Sequence, residues 1–234
     1  MATASLPASL QEVLKHFQDK YGPNAITVGA EQDIELVSTG LFALDYILGG
    51  GLPRGRIVLL YGPENSGKST LAYHILASVL RSNPEAWVAV MPVEYRWDPA
   101  WASMNGLDLA RVVIPSFSSG EEVFNQLYDL GRMGVKGVLI DSLAALLPRS
   151  EKEAMEATKE EDRNREFVAL QARLLSQKLR AVNPPLSKAG AITIFTNQIR
   201  EKPGVMFANP ETQPGGHAIL HYASTTMEVR RGQL

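Results

Sequence analysis

The sequence predicts an α/β fold, a mostly parallel twisted sheet with helices on both faces, preceded by an N-terminal helix-and-strand arm. Three observations predict it. Apolar strand-like runs alternate with helical patterns from residue 56 to 196. A phosphate-loop pattern, G-x-x-x-x-G-K-S, starts at Gly62 between one such run and one such helix. Two other runs, at residues 87–91 and 137–141, lead into carboxylates, Glu94 and Asp141, at what a parallel sheet makes its ligand-facing edge.

In chain order, residues 10–21 place Leu10, Val13, Leu14, Phe17 and Tyr21 at helical spacing, with Gln11, Glu12, Lys15, Gln18 and Asp19 opposite. This is an amphipathic helix stopped at Gly22-Pro23, and a short apolar piece at 25–28 and a polar linker follow it. Residues 1–33 therefore read as an arm and 34–234 as the main domain, the alternative being a helix packed on its own core. Strands are expected at 56–61, 87–91, 111–114, 137–141, 191–196 and 223–229, and helices at 68–81, near 98–105, 120–133 and 166–182. Helical crossovers between strands make the sheet parallel. Residues 149–166 hold seven acids and five bases with no strong apolar face, the texture of a solvated helix or mobile loop. Residues 201–216 carry Pro203-Gly204, Asn209-Pro210 and Gly215-Gly216 and read as one long functional or disordered loop.

At 234 residues the chain is long enough for a core without staples, and zero cysteines exclude disulfides and thiolate metal sites, in keeping with a reducing cytoplasm. A formal charge of −2 provides no global basic field, so any nucleic-acid binding must come from a local patch. No targeting segment or membrane span is read, and a soluble protein without a membrane partner is expected.

The loop Glu64, Asn65, Ser66, Gly67, Lys68, Ser69, Thr70 predicts a nucleoside triphosphate site. Backbone N–H groups and the helix N-terminus face the phosphates, Lys68 reaches the outer ones, and Ser69 ligates Mg²⁺. Asp141, expected on the neighbouring strand, is the second metal-holding residue, although a strand-ending aspartate also serves as a simple helix cap. Glu94 is the candidate general base for an attacking water, or else a surface glutamate. Gln198, at the tip of the strand 191–196, is placed to hydrogen-bond the terminal phosphate and report it to the loop that follows.

Residues 36–40 (Leu-Val-Ser-Thr-Gly), 50–58, 61–68, 141–146, 197–200 and 204–212 together resemble the bacterial RecA recombinase family along essentially the whole chain. The resemblance implies a RecA-like phosphate-loop ATPase core with ATP and Mg²⁺ as cofactors, and with Lys68, Glu94 and Gln198 in catalytic roles. It also implies adenine contacts from Asp98 and from Trp101, which stands where the family has a stacking tyrosine. By the same carry-over, residues 149–166 and 201–216 take the places of two DNA-binding loops. Arg173, Ser176, Arg180, Arg200, Gly215, Gly216 and His217 fall on positions that contact the single-stranded DNA backbone. Without the resemblance, Arg173 and Arg180 read as an exposed helix stripe. The arm becomes the element that docks on the next subunit of a filament, and the pathway is recombination and repair in the DNA-damage (SOS) response.

The sequence departs from the family at four places. The first loop is longer, glycine-free and net acidic; Pro92 and Tyr95 rebuild the strand edge around Glu94; and His217 replaces an amide. The chain also stops soon after Arg231, where the family continues into further strands, with lysines reaching a neighbour's ATP, and a C-terminal domain. A slow DNA-dependent ATPase is the expectation. Two readings remain open: a DNA-repair ATPase of this family, and an accessory protein of the ImuA type that binds RecA or a translesion polymerase without exchanging strands. A metabolic kinase is disfavoured, because the tract after Gln198 carries RecA-like residues in place of an acceptor lid.

Overall fold

The computed structural model describes residues 6–23, 25–26, 28–29, 34–148, 163–201, 211–212 and 218–232. The chain forms two compact units, Met1–Glu35 and Leu36–Leu234. The first contains α1 (Ala8–Tyr21), which buries none of its residues and ends at Gly22.

The second unit opens with a two-stranded antiparallel ribbon, β1 (Leu36–Val37) and β2 (Leu52–Pro53), around the short helix α2 (Phe42–Ile47). Neither ribbon nor helix announces itself by periodicity, because both are too short to show one. Polar contacts hold them instead. The Thr39 N–H and hydroxyl donate to Asp45 Oδ1 at 2.7 and 2.6 Å, and Ser38 donates to Oδ2 at 2.5 Å. Burial opposes ionisation of Asp45, but these hydrogen bonds outweigh it and hold its carboxyl below the usual range.

The alternation predicted from residue 56 onward is present. It runs β3 (Ile57–Gly62), α3 (Lys68–Ser82), β4 (Val88–Pro92), α4 (Pro99–Met104), β5 (Val112–Val113), α5 (Gly120–Arg132), β6 (Gly137–Asp141), α6 (Arg163–Ala189) and β7 (Ile192–Gln198). The pair β8 (Arg200–Glu201) and β9 (Glu211–Thr212), a helix at Ala218–Tyr222 and β10 (Ala223–Glu228) complete it. The main sheet is six-stranded and parallel in the order β10-β3-β7-β6-β4-β5.

Side-chain alternation along the strands divides the core into two layers. Ile57, Leu59, Ile140 and Phe195 pack with α5 and α6, whereas Val58, Leu60, Leu139 and Ile194 pack with α3. Each such fully buried side chain contributes roughly 1.5–3 kcal/mol.

Two elements differ from expectation. Within the tract 201–216, expected as one loop, Glu201, Glu211 and Thr212 stand in an antiparallel pair, Arg200↔Thr212 and Glu201↔Glu211, and the rest of the tract lies outside the described residues. α6 continues past its expected end at residue 182, through Asn183-Pro184-Pro185, and reaches Ala189. The N–H groups that these prolines lack would bond the carbonyls of Arg180 and Ala181, two exposed residues whose carbonyls water can serve. Buried Val182 and Leu186 anchor the last turns, and Gly190, at φ +67°, ends the helix in the left-handed region.

Candidate functional site

Strand register decides which residues meet. Gly62 pairs with Gln198, and Pro92 with Asp141, which stands level with Thr196, so the carboxyl ends of β3, β7, β6 and β4 gather at one edge of the sheet within two residues of one another. Gly62 has φ +154°, and a Cβ built on it would stand 2.1 Å from the Val229 carbonyl oxygen, so only glycine fits. Asn65 at φ +55° and Gly67 at φ +97° turn the chain into α3. Together these elements wall a cavity of about 340 Å³.

Lys68, the first residue of α3, is buried, and its Nζ donates to the carbonyls of Gly62 at 3.1 Å and Pro63 at 2.6 Å. Burial lowers its pKa below the ordinary lysine value, while the negative charges of Asp141, Glu94 and Glu64 pull the other way. Ser69 donates to Asp141 Oδ2 at 2.6 Å. This contact corrects one expectation: β6, which carries Asp141, is not the neighbour of β3, because β7 lies between them. Ser69 reaches across since α3, on its way to β4, packs on β6 and β7 as well as on β3. The intervening strand supplies Thr196, whose hydroxyl donates to the other Asp141 oxygen at 2.6 Å.

Glu94 lies two residues beyond β4, and its backbone N–H donates to the Asp141 carbonyl at 3.2 Å. Its Oε1 accepts from Ser142 Oγ at 2.6 Å and from Gln198 Nε2 at 3.0 Å. The three expected catalytic residues, Lys68, Glu94 and Gln198, thus line one cavity with Ser69 and Asp141. Ile199 N–H donates to the Gly62 carbonyl at 3.3 Å, so the segment entering β8 is tied to the loop.

Asp98 and Trp101 stand beside the cavity and do not line it. Asp98 caps α4 by accepting the Trp101 N–H at 3.0 Å, and the Trp101 indole N–H donates to Thr70 Oγ1 at 3.2 Å. Sequence reasoning missed Thr196, Ser142, Tyr73 and Arg96. Thr196 sits two residues before Gln198 on the same strand face, and Ser142 directly follows Asp141, so a signal existed for both. Nothing in the pattern marked Tyr73, which is buried edge-to-face against Trp97 with ring centroids 5.8 Å apart. Burial, then the charges of Asp141 and Asp98, push its hydroxyl up to about 12.

Arg173, Ser176 and Arg180 are exposed along one face of α6, opposite the buried Leu174, Leu175, Leu179 and Val182. Arg200 has its backbone in β8. Gly215, Gly216 and His217, and residues 149–162 of the acid-and-base-rich tract, lie outside the described residues.

Among the described residues no cluster of three or more His, Cys, Asp and Glu could hold a metal by itself. The donor set Ser69 with Asp141 fits a Mg²⁺ ion that draws its remaining ligands from phosphates and water. Ser66 Oγ, a buried hydroxyl on the cavity wall without a hydrogen-bond partner among the described residues, fits a phosphate-bearing ligand.

Residues 8–234 match the family model described as the RecA N-terminal domain. The chain belongs to the RecA family. It is 41% identical over 231 residues to Protein RecA of Halalkalibacterium halodurans and 42% identical over 231 residues to that of Bacillus anthracis. These alignments cover 97% of this chain and 64% and 65% of the two relatives. Protein RecA of Rubrobacter xylanophilus is 46% identical over 204 residues, which are 86% of this chain and 57% of the relative. The chain thus spans less than two thirds of the length of these relatives. The segments that resemble the RecA family fall on the Thr39–Asp45 cluster, the loop after β3, the end of β6 and the tip of β7. No helix among the described residues is long and apolar enough to cross a membrane.

Proposed function

We propose that this chain binds ATP with Mg²⁺ in the cavity at the strand ends and, with ATP bound, binds single-stranded DNA in recombination and repair. The observation that carries the reading is the 2.6 Å contact from Ser69 to Asp141 across β7, which joins the loop serine and a strand-end carboxylate into one donor pair. Bound there, Mg²⁺ would neutralise charge on the phosphates. Lys68 binds the outer phosphates from the loop, Ser69 and Asp141 orient the metal, and Ser66 donates to a phosphate oxygen. Glu94 takes a proton from the attacking water. Its Oε1 already accepts from Gln198, two residues before β8, so a change at the cavity has a short path toward the second DNA-binding tract.

The exposed face of Arg173, Ser176 and Arg180 supports a phosphate-backbone contact that is insensitive to base sequence, and the proposal includes Arg200, Gly215, Gly216 and His217 as further contacts. α1 with its exposed Val13, Phe17 and Tyr21 supports assembly with further copies through residues 1–33. Slow hydrolysis, a place in the DNA-damage response and an intracellular site belong to the same proposal. An accessory role with a translesion polymerase draws no support from these relatives, each named for RecA itself.

Titration of a fluorescent ATP analogue in Mg²⁺ buffer tests the nucleotide part. Lys68→Ala is expected to abolish binding, and unchanged affinity in that variant sinks the assignment. Anisotropy of a labelled single strand tests the other half, and no binding at low salt with the analogue present would end the recombination reading.

A further inference from the structure

Three carboxylates, Glu64, Glu94 and Asp141, line the cavity, and two cationic side chains face them, Lys68 and Arg96. The wall therefore carries one net negative charge from its side chains, unfavourable for a polyphosphate, and without Arg96 it would carry two. Most of these groups are already engaged. Lys68 donates to two backbone carbonyls, Asp141 accepts from Ser69 and Thr196, and Glu94 accepts from Ser142 and Gln198.

Arg96 differs from them. It is exposed, lines the cavity, and takes part in no hydrogen bond or ion pair among the described residues. Local backbone brings it there. The Glu94 N–H donates to the Asp141 carbonyl and the Tyr95 N–H to the Pro92 carbonyl, and Tyr95 adopts φ +56° with its ring 81% exposed. The turn thus returns the chain at Arg96 to the wall that Glu94 also lines. A guanidinium there, with its planar fork of donors, suits phosphate oxygens better than a lone ammonium does.

We infer that Arg96 contacts the phosphate oxygens of the bound nucleoside triphosphate, supplying from within the same chain a second cation beside Lys68. The inference rests on the nucleotide reading above and names a residue that this reading does not use.

Isothermal titration of ATP with Mg²⁺ into the unmodified chain, Arg96→Ala, Arg96→Lys and Lys68→Ala tests it, with a thermal melt of each. Arg96→Ala is expected to weaken ATP roughly tenfold, the effect of one charge-assisted contact at an open site, with an unchanged melt. Arg96→Lys should recover part of that loss and should flatten the salt dependence of binding less than Arg96→Ala does. ATP affinity within twofold of the unmodified chain in Arg96→Ala overturns the inference. So does a loss that comes with a lowered melt and is not relieved by lysine, since that marks a structural role. If Lys68→Ala abolishes binding while Arg96→Ala does not weaken it, only this inference fails. If the unmodified chain takes no ATP, the nucleotide reading fails with it.

Discussion

Phe195 and Phe17 are the same residue on two regular elements, yet Phe195 is fully buried in β7 while Phe17 on α1 leaves 40% of its surface exposed. The polar groups divide in the same way. Around β7, hydroxyls, carboxylates and amides meet in two clusters, Ser69 and Thr196 on Asp141 and Ser142 and Gln198 on Glu94, which the Glu94 N–H joins into one web through the Asp141 carbonyl. α1 has no buried residue, and Val13 and Tyr21 stay 44% and 62% exposed on its apolar stripe. Chemistry thus sits where the fold has finished its packing, and the arm presents apolar surface that its own packing leaves in water.

The largest expected effect tests the polar web. Glu94→Gln keeps the side chain's shape and an oxygen that can accept from Ser142, but removes the carboxylate proposed as the base. Hydrolysis measured by phosphate release should fall by roughly 10²–10⁴-fold with ATP affinity nearly unchanged. Equal loss of affinity would show that Glu94 holds the web together and does no proton transfer.

Next comes the direct contrast of the two phenylalanines. Phe195→Ala should cost about 3–5 kcal/mol in chemical denaturation, whereas Phe17→Ala, which opens no cavity, should cost well under 1 kcal/mol. The Phe17 change should show instead in sedimentation, as weaker self-association. A large loss of monomer stability in Phe17→Ala would break the comparison.

A smaller effect concerns the charged face of α6. Arg173→Ala with Arg180→Ala should lower single-strand affinity and reduce the log–log salt slope by about 1.4, roughly 0.7 for each phosphate that is no longer neutralised. An unchanged slope would return these arginines to an ordinary solvated stripe.

The smallest effect is at Tyr73. Its folded pKa of about 12 lies above the ordinary tyrosine value, so at intermediate pH the unfolded chain has lost a proton that the folded chain keeps. This component of stability is fully present below the unfolded value and is lost as pH rises through about 12. Tyr73→Phe should flatten the alkaline fall in a pH series of melts. A phenolate titration in which Tyr73 ionises with the other tyrosines would contradict its burial.

Much of this was legible in the sequence, for identifiable reasons. The alternation of elements and the loop 62–70 carry strong local signals, since strand, turn and helix each impose a period or a residue type, whereas Glu94 and Asp141, weak signals alone, gain meaning from the loop beside them. Strand order carries no such signal. That β7 lies between β3 and β6, and so brings Thr196 to Asp141, depends on which strands pair, a property of tertiary packing. Tyr73 and Arg96 stayed hidden because a helix interior and a three-residue turn give cavity-lining side chains no distinguishing spacing. α6 runs beyond the expected end at residue 182 because exposed carbonyls and buried Val182 and Leu186 let it continue through Pro184-Pro185.

The most direct test of the account is whether Asp141, reached by Ser69 across β7, makes nucleotide binding depend on Mg²⁺. Calorimetric titration of ATP into the unmodified chain and into Asp141→Asn, each with Mg²⁺ and with chelator, measures this. The account predicts that Mg²⁺ strengthens ATP binding to the unmodified chain, and that Asp141→Asn removes most of that gain while leaving the metal-free affinity similar or higher. Binding that ignores Mg²⁺ in the unmodified chain, or a full Mg²⁺ gain that survives in Asp141→Asn, would contradict it.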